Sequence, residues 1–202
     1  MKTSLLIVCS LLSLTACSTV VTRYYTLTPT AVDHPVQAPA VAPTFQFEMQ
    51  AVRLPVQVDQ PQIVVRESTG TLAILENDRW GAPLADEFHD ALTSQLETRL
   101  GARDLAGLPK ATDLPVLSVQ ADVRRFDSLV GQYAMVDMVW SLAIRDGGQP
   151  RRTLTCSSVI KEPAGTQLAD LVQAHQKVIA QLASTLATTG MAFVTNPQTV
   201  CP

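Results

Sequence analysis

The chain has 202 residues, 47% hydrophobic and 16% charged, which is enough apolar mass for a folded domain and too little charge for a disordered one. Eighteen acidic residues stand against 15 basic ones with no basic stripe, which excludes a phosphate-tracking surface and with it nucleic acid as a partner. Past the N-terminal leader no apolar run approaches the roughly 18 residues of a membrane-spanning helix.

Residues 1–16 read as an export signal: basic Lys2, an apolar run from Leu5 to Leu12, and the small residue Ala16 at the cut. Cys17 follows in the pattern Leu14-Thr15-Ala16-Cys17, which resembles the bacterial lipobox. In that motif the thiol is diacylated with palmitate-type chains and the new amino terminus is acylated. At roughly 0.8 kcal/mol per buried CH₂, several chains hold a domain on a membrane almost permanently. Ser18 rather than Asp comes next, and by resemblance to Gram-negative sorting this implies the inner leaflet of the outer membrane, with the domain facing the periplasm.

Residues 17–43 are expected to form the lipidated anchor and a Pro-rich spacer, with Pro29, Pro35, Pro39 and Pro43 favouring extended backbone. Tyr24-Tyr25-Thr26-Leu27 is different, because linkers rarely carry paired aromatics, and reads as an extended segment packed on the domain. A single α/β domain is expected over 44–202. Alternation of Phe45, Phe47, Met49 and Ala51 against Gln46, Glu48 and Gln50 predicts a half-buried strand. Ile63 to Arg66 and Leu72 to Leu75, around the turn Ser68-Thr69-Gly70, predict a hairpin.

Asn77 to Leu84 should open the first long helix, with its apolar stripe at Leu84, Phe88, Ala91, Leu92, Leu96 and Leu100 and a stop at Gly101. Between Arg103 and Pro115 a connection is expected, with room for one short strand. Three alternating strands follow, around Leu117–Val123, Ala134–Ile144 and Leu154–Ile160, joined at Leu129 to Gln132 and at Asp146 to Gly148. A second helix should start from Thr166 as N-cap and end at Gly190. The fold class is therefore α/β: a mixed, largely antiparallel sheet of about five to seven strands with two long amphipathic helices packed on it.

Cys9 leaves with the signal and Cys17 carries lipid, so Cys156 and Cys201 remain and are expected to form a disulfide in an oxidising compartment. His34, His89 and His175 have no companions at metal-ligand spacing, and His175 falls on an apolar stripe, where a hydrogen-bonded core histidine is the expectation. Ser158-Val159-Ile160-Lys161 matches an S-x-x-K nucleophile pattern, but on a strand and without its companion motifs. Asp86 and Glu87 are adjacent on a helix and diverge. No catalytic constellation, metal site or cofactor site is expected, and the chain is read as a non-enzyme.

Four pieces in order carry a resemblance: Cys17 in its lipobox, Tyr24-Tyr25-Thr26-Leu27, Pro61-Gln62-Ile63-Val64-Val65-Arg66, and Arg79-Trp80-x-x-Pro83-Leu84. Together they resemble the ABC-type transport auxiliary lipoprotein family, of which PqiC-like subunits of membrane-integrity transporters are members. Gln60 replaces the first arginine of the family pattern, and Gly81 stands where alanine is usual. The resemblance implies an outer-membrane-anchored subunit of an MCE-type system that moves phospholipid or another hydrophobic molecule between membranes. Its implied partners are an MCE-domain protein spanning the periplasm and an inner-membrane protein, and a ring of copies would suit docking onto a symmetric tube. Arg79, Trp80, Tyr24 and Tyr25 are the candidate partner contacts, with packing at a strand-to-helix corner as the alternative role for Arg79 and Trp80. Three other readings stay open: a lipid-binding carrier, an envelope hydrolase, for which no motif is present, and a structural lipoprotein of outer-membrane assembly.

Overall fold

A computed structural model describes residues 21–30, 43–67 and 70–202; Cys17, the leader and most of the Pro-rich stretch lie outside the described residues. Among the described residues, seven strands and two helices follow in the order β1 (Arg23–Tyr25), β2 (Gln46–Met49), β3 (Gln62–Arg66), β4 (Leu72–Trp80), α1 (Leu84–Leu100), β5 (Val116–Leu129), β6 (Tyr133–Arg145), β7 (Arg152–Pro163) and α2 (Leu168–Thr195). The fold is mixed α/β, but its strands form two sheets instead of one. A three-stranded sheet has the order β1-β4-β3 and a four-stranded sheet the order β2-β5-β6-β7.

The four-stranded sheet is the alternating meander read from the sequence, extended at its N-terminal edge by β2, which pairs parallel to β5. Helix α2 lies across β5, β6 and β7, and α1 packs beside it. Leu117, Val119, Ala121 and Val123 of β5 and Val136, Met138, Trp140 and Leu142 of β6 make the buried face under the helices. Beyond Val123 the phase changes: a register shift between Val123 and Arg125 inserts one residue. Such a bulge moves every later side chain to the opposite face. Phe126 and Ser128 are consequently buried where the earlier odd-numbered pattern would have turned them outward.

Several expectations need correction. Asn77 to Trp80 belong to β4, and α1 begins at Leu84 with Pro83 at the N-cap. The strand persists because its end pairs on both sides, with β1 and with Gln62. Helix α2 does not stop at Gly190 but runs on to Thr195. A Cβ at Gly190 would stand 3.1 Å from Leu117 Cδ2, so this glycine lets the helix approach the sheet. The N-cap of α2 is Gln167, not Thr166, with Asp170 accepting its backbone N–H at 3.2 Å. Ala51 is exposed, whereas Gln46 and Glu48 are buried. Between Arg103 and Pro115 the only pairing described is an isolated bridge from Asp104 to Phe47. The stop at Gly101 is as expected: its φ of 64° is left-handed, and its N–H returns to Glu97 O at 2.9 Å.

Burying Glu48 is offset by three partners: Lys110 Nζ at 2.7 Å, Ser118 Oγ–H at 2.5 Å and an Arg145 guanidinium at 3.3 Å. Burial pushes its carboxyl up, but these partners outweigh that and hold it below its ordinary value. Cys156 and Cys201 are disulfide-bonded, with Cα atoms 5.6 Å apart, fastening the tail beyond α2 to β7. Trp140 Nε1–H donates to Ser158 Oγ at 2.9 Å, while Lys161 lies over the Tyr133 ring. The S-x-x-K residues therefore have separate packing roles.

His175 is fully buried, its ring stacked on Phe126 at 4.0 Å and its Nε2 2.8 Å from Ser128 Oγ. Burial lowers its pKa to about 3, against a small opposing pull from Asp127. An unfolded histidine near 6.5 binds a proton that the folded one refuses, so this contribution to stability is whole above pH 6.5 and is lost as pH falls toward 3. Glu48 and Asp127, both lowered, lose theirs only below their unfolded values of 4.5 and 3.8. The unfolding midpoint should therefore drop between pH 7 and pH 5, and His175→Phe should flatten that drop; an equally steep profile in the variant would remove His175 as its source. Cys201→Ser opens a cross-link over a sequence separation of 45 and should cost about 2–4 kcal/mol in denaturant unfolding. An unchanged midpoint would show that the tail is not a structural fastening.

Candidate docking site

The residues singled out near the N-terminus come together at one corner of the three-stranded sheet. β1 pairs parallel to the end of β4, placing Arg23 opposite Asp78, Tyr24 opposite Arg79 and Tyr25 opposite Trp80. Gly81 N–H donates to Tyr25 O at 2.8 Å, and Trp80 N–H donates to Pro61 O at 2.9 Å. Arg23 holds Asp78 with two hydrogen bonds, at 2.7 and 3.1 Å.

Glu87, in the first turn of α1, completes the corner. Its Oε2 accepts Thr26 Oγ1–H at 2.7 Å and Leu27 N–H at 2.8 Å, and Leu27 itself is fully buried. A carboxylate in this position also complements the positive end of the helix. Gln176 Nε2–H, from α2, donates to Thr26 O at 3.1 Å. A Cβ on Gly81 would stand 3.0 Å from Glu87 Oε1, so the glycine leaves room for the carboxylate. The segment from Arg23 to Leu27 is thus part of the folded unit, ahead of the prolines assigned to a spacer.

This arrangement separates the four contact candidates. Trp80 is 4% exposed, packed edge-on against Phe126 with ring centroids 6.3 Å apart. It is a core residue with almost no surface for a partner, and the packing role replaces the contact role. Arg79 is half-buried, Tyr25 is half-buried against the core, and only Tyr24, 68% exposed, presents an aromatic face to solvent. Cys17 lies outside the described residues.

Pockets on the strands away from this corner include two among the described residues. One, of about 130 Å³, lies between β3 and β5 and includes Val58, Val64, Arg66, Leu72 and Asp127. Asp127 is buried there; burial raises its carboxyl, but Arg66 at 2.8 Å and Arg125 at 2.5 Å hold it below the ordinary carboxylate value. The other, of about 270 Å³, is an open polar hollow on the helix-free face, lined by Glu48, Gln50, Gln120 and Arg145 among others. Each includes a serine hydroxyl, but Ser128 turns its Oγ to the fully buried His175, and Ser118 donates to Glu48, whose carboxylate is already engaged by Lys110 and Arg145. No group of three or more His, Cys, Asp or Glu suited to a metal ion occurs among the described residues. The pair sequence reasoning could not bring together is Thr26 and Glu87, 61 positions apart, for which no local pattern exists.

No curated protein matches the chain. Among solved structures it is similar to an uncharacterised protein at TM-score 0.62 and 16% identity, covering 83% of this chain and 97% of that one. A Xanthomonas campestris protein is similar at TM-score 0.54 and 21% identity, covering 87% and 98%. Both likenesses concern the fold. The family of ABC-type transport auxiliary lipoprotein components matches residues 25–187, from the second tyrosine of β1 almost to the end of α2. The chain belongs to the ABC-type transport auxiliary lipoprotein family.

Proposed function

We propose that the chain is an outer-membrane lipoprotein that docks the periplasmic end of an MCE-type transport system, holding an MCE-domain protein at the inner leaflet. The observation that carries this reading is the clasp of β1 on β4 and α1. Fully extended, the span from Cys17 to Arg23 reaches no more than about 20 Å. With acyl chains on Cys17, the domain is held close against the membrane on a short leash. A carrier that commutes between membranes needs the opposite.

Crosslinking in the native envelope from a photo-reactive residue at Tyr24 should recover an MCE-domain protein. Recovery of outer-membrane assembly factors alone would move the assignment to a structural lipoprotein. Glu87→Ala should release β1, because it removes a buried acceptor from two donors, at a cost of about 1.5–3 kcal/mol for hydrogen bonds to a charged group. Trypsin should then cut at Arg23 and free the domain from membranes. Resistance of Arg23 in the variant would mean that the clasp does not depend on Glu87.

A further inference from the structure

β2 accompanies β5 only from Val116 to Val119 and touches it once more where Arg53 bridges to Asp122. From Arg125 to Ser128, the outer edge of β5 has no strand hydrogen-bonded to it among the described residues. β3 stands opposite that edge, joined to it by the Arg66–Asp127 ion pair instead of a backbone ladder. Between them is the pocket of about 130 Å³, with Pro55, Val58, Val64 and Leu72 as apolar walls. It has room for one apolar side chain. Val56, next in sequence to Pro55 and Gln57 of its lining, is 89% exposed, and Ile74, which pairs with Val64 across β3 and β4, is also exposed.

The bulge gives this edge its charge. Consecutive strand residues normally face opposite ways, yet Arg124 reaches Asp122 at 3.2 Å and Arg125 reaches Asp127 at 2.5 Å, with both arginines outward. Arg53 reaches the same Asp122 at 2.8 Å. Each carboxylate is therefore shared by two guanidiniums, and the side chains of Arg53, Arg124 and Arg125 stay 75%, 59% and 56% exposed. Across the register, Asp137 of β6 stands opposite Arg125.

We propose that this edge receives the docked partner, as an extended segment carrying two carboxylates with one apolar residue between them. Asp122 and Asp127 are five positions apart with one absorbed by the bulge, so four strand steps separate the two arginine groups by roughly 13 Å. That is the spacing of residues i and i+4 of an extended partner segment. Guanidiniums at a rim steer and orient acidic partners, and an apolar anchor in a pocket holds them. This inference rests on the docking reading above.

The test uses the full-length lipoprotein in cells, with a photo-reactive residue at Gln57 on the pocket rim or at Thr188 on the exposed side of α2. The probe at Gln57 should capture the MCE-domain protein through a peptide with two acidic residues four apart around an apolar one. Arg124→Gln with Arg125→Gln should cut that capture at least tenfold while leaving the unfolding midpoint unchanged, since Asp122 keeps Arg53, Asp127 keeps Arg66, and exposed ion pairs add little stability. Capture from Thr188 but not from Gln57 would leave docking standing and overturn this surface. Capture of phospholipid, or of a second copy of the chain, at Gln57 would assign the edge to a membrane or to self-association and overturn the proposal. Capture from neither position would overturn this surface, and the docking reading falls with it only if the probe at Tyr24 is silent too.

Discussion

The packing of Phe126 against Trp80, Phe88 and His175 joins β4, α1 and α2 to β5, and so holds the two sheets and both helices in one core. That contact depends on the single extra residue in β5. Without the bulge, the inward phase set by Leu117, Val119, Ala121 and Val123 would carry Phe126 to the outer face and bring Arg125 inward. Placing a guanidinium under two helices would cost several kcal/mol. The bulge therefore settles two things at once: an aromatic hub inside and a pair of arginines outside. Ser128, in the same shifted phase, meets His175 and satisfies one of its ring nitrogens.

The residues that carry the family resemblance owe their role to construction more than to surface. Tyr25 and Trp80 are neighbours across β1 and β4, and the Pro83-Leu84 step turns the chain so that Glu87 can receive Thr26 and Leu27. The motif is thus a clasp that commits the chain to the domain from Arg23 onward. A parallel strand of three residues has little stability alone. Here the Arg23–Asp78 pair, the buried Leu27 and the Glu87 carboxylate hold it in place, each from a different element.

Much of this was legible in the sequence. The alternation of β6 and the apolar stripes of both helices reflect one-sided burial, which period alone reveals. Gly101 announced its turn because only a left-handed residue ends a helix that way. Gly190 misled for the converse reason: a helical glycine that serves close packing looks in sequence like one that serves termination. The tetrad Asn77-Asp78-Arg79-Trp80 has helix-start character, and tertiary pairing overrode it. Neither the bulge nor the division into two sheets leaves a local trace. Arg124-Arg125 reads as one residue out and one in, and only the register with Asp137 shows otherwise. Arg79 and Trp80 were legible as important, but a buried tryptophan and a binding tryptophan have the same letter.

β3 stands opposite the end of β5, where Phe126, Asp127 and Ser128 are buried, so what this edge presents to solvent is its charged rim. An open strand edge invites pairing with another copy of itself, and folded proteins commonly guard against this with charge at the edge. Arg53, Arg124 and Arg125 provide that guard, since two copies meeting edge to edge would set guanidinium against guanidinium. The same charges favour a strand of opposite sign. Specificity in such a site comes as much from the pairing it penalises as from the one it stabilises. An edge that sets guanidiniums against its own copy, beside a pocket walled partly by apolar side chains, would be selective by construction, and the bulge that turned Phe126 inward is what placed those arginines outside.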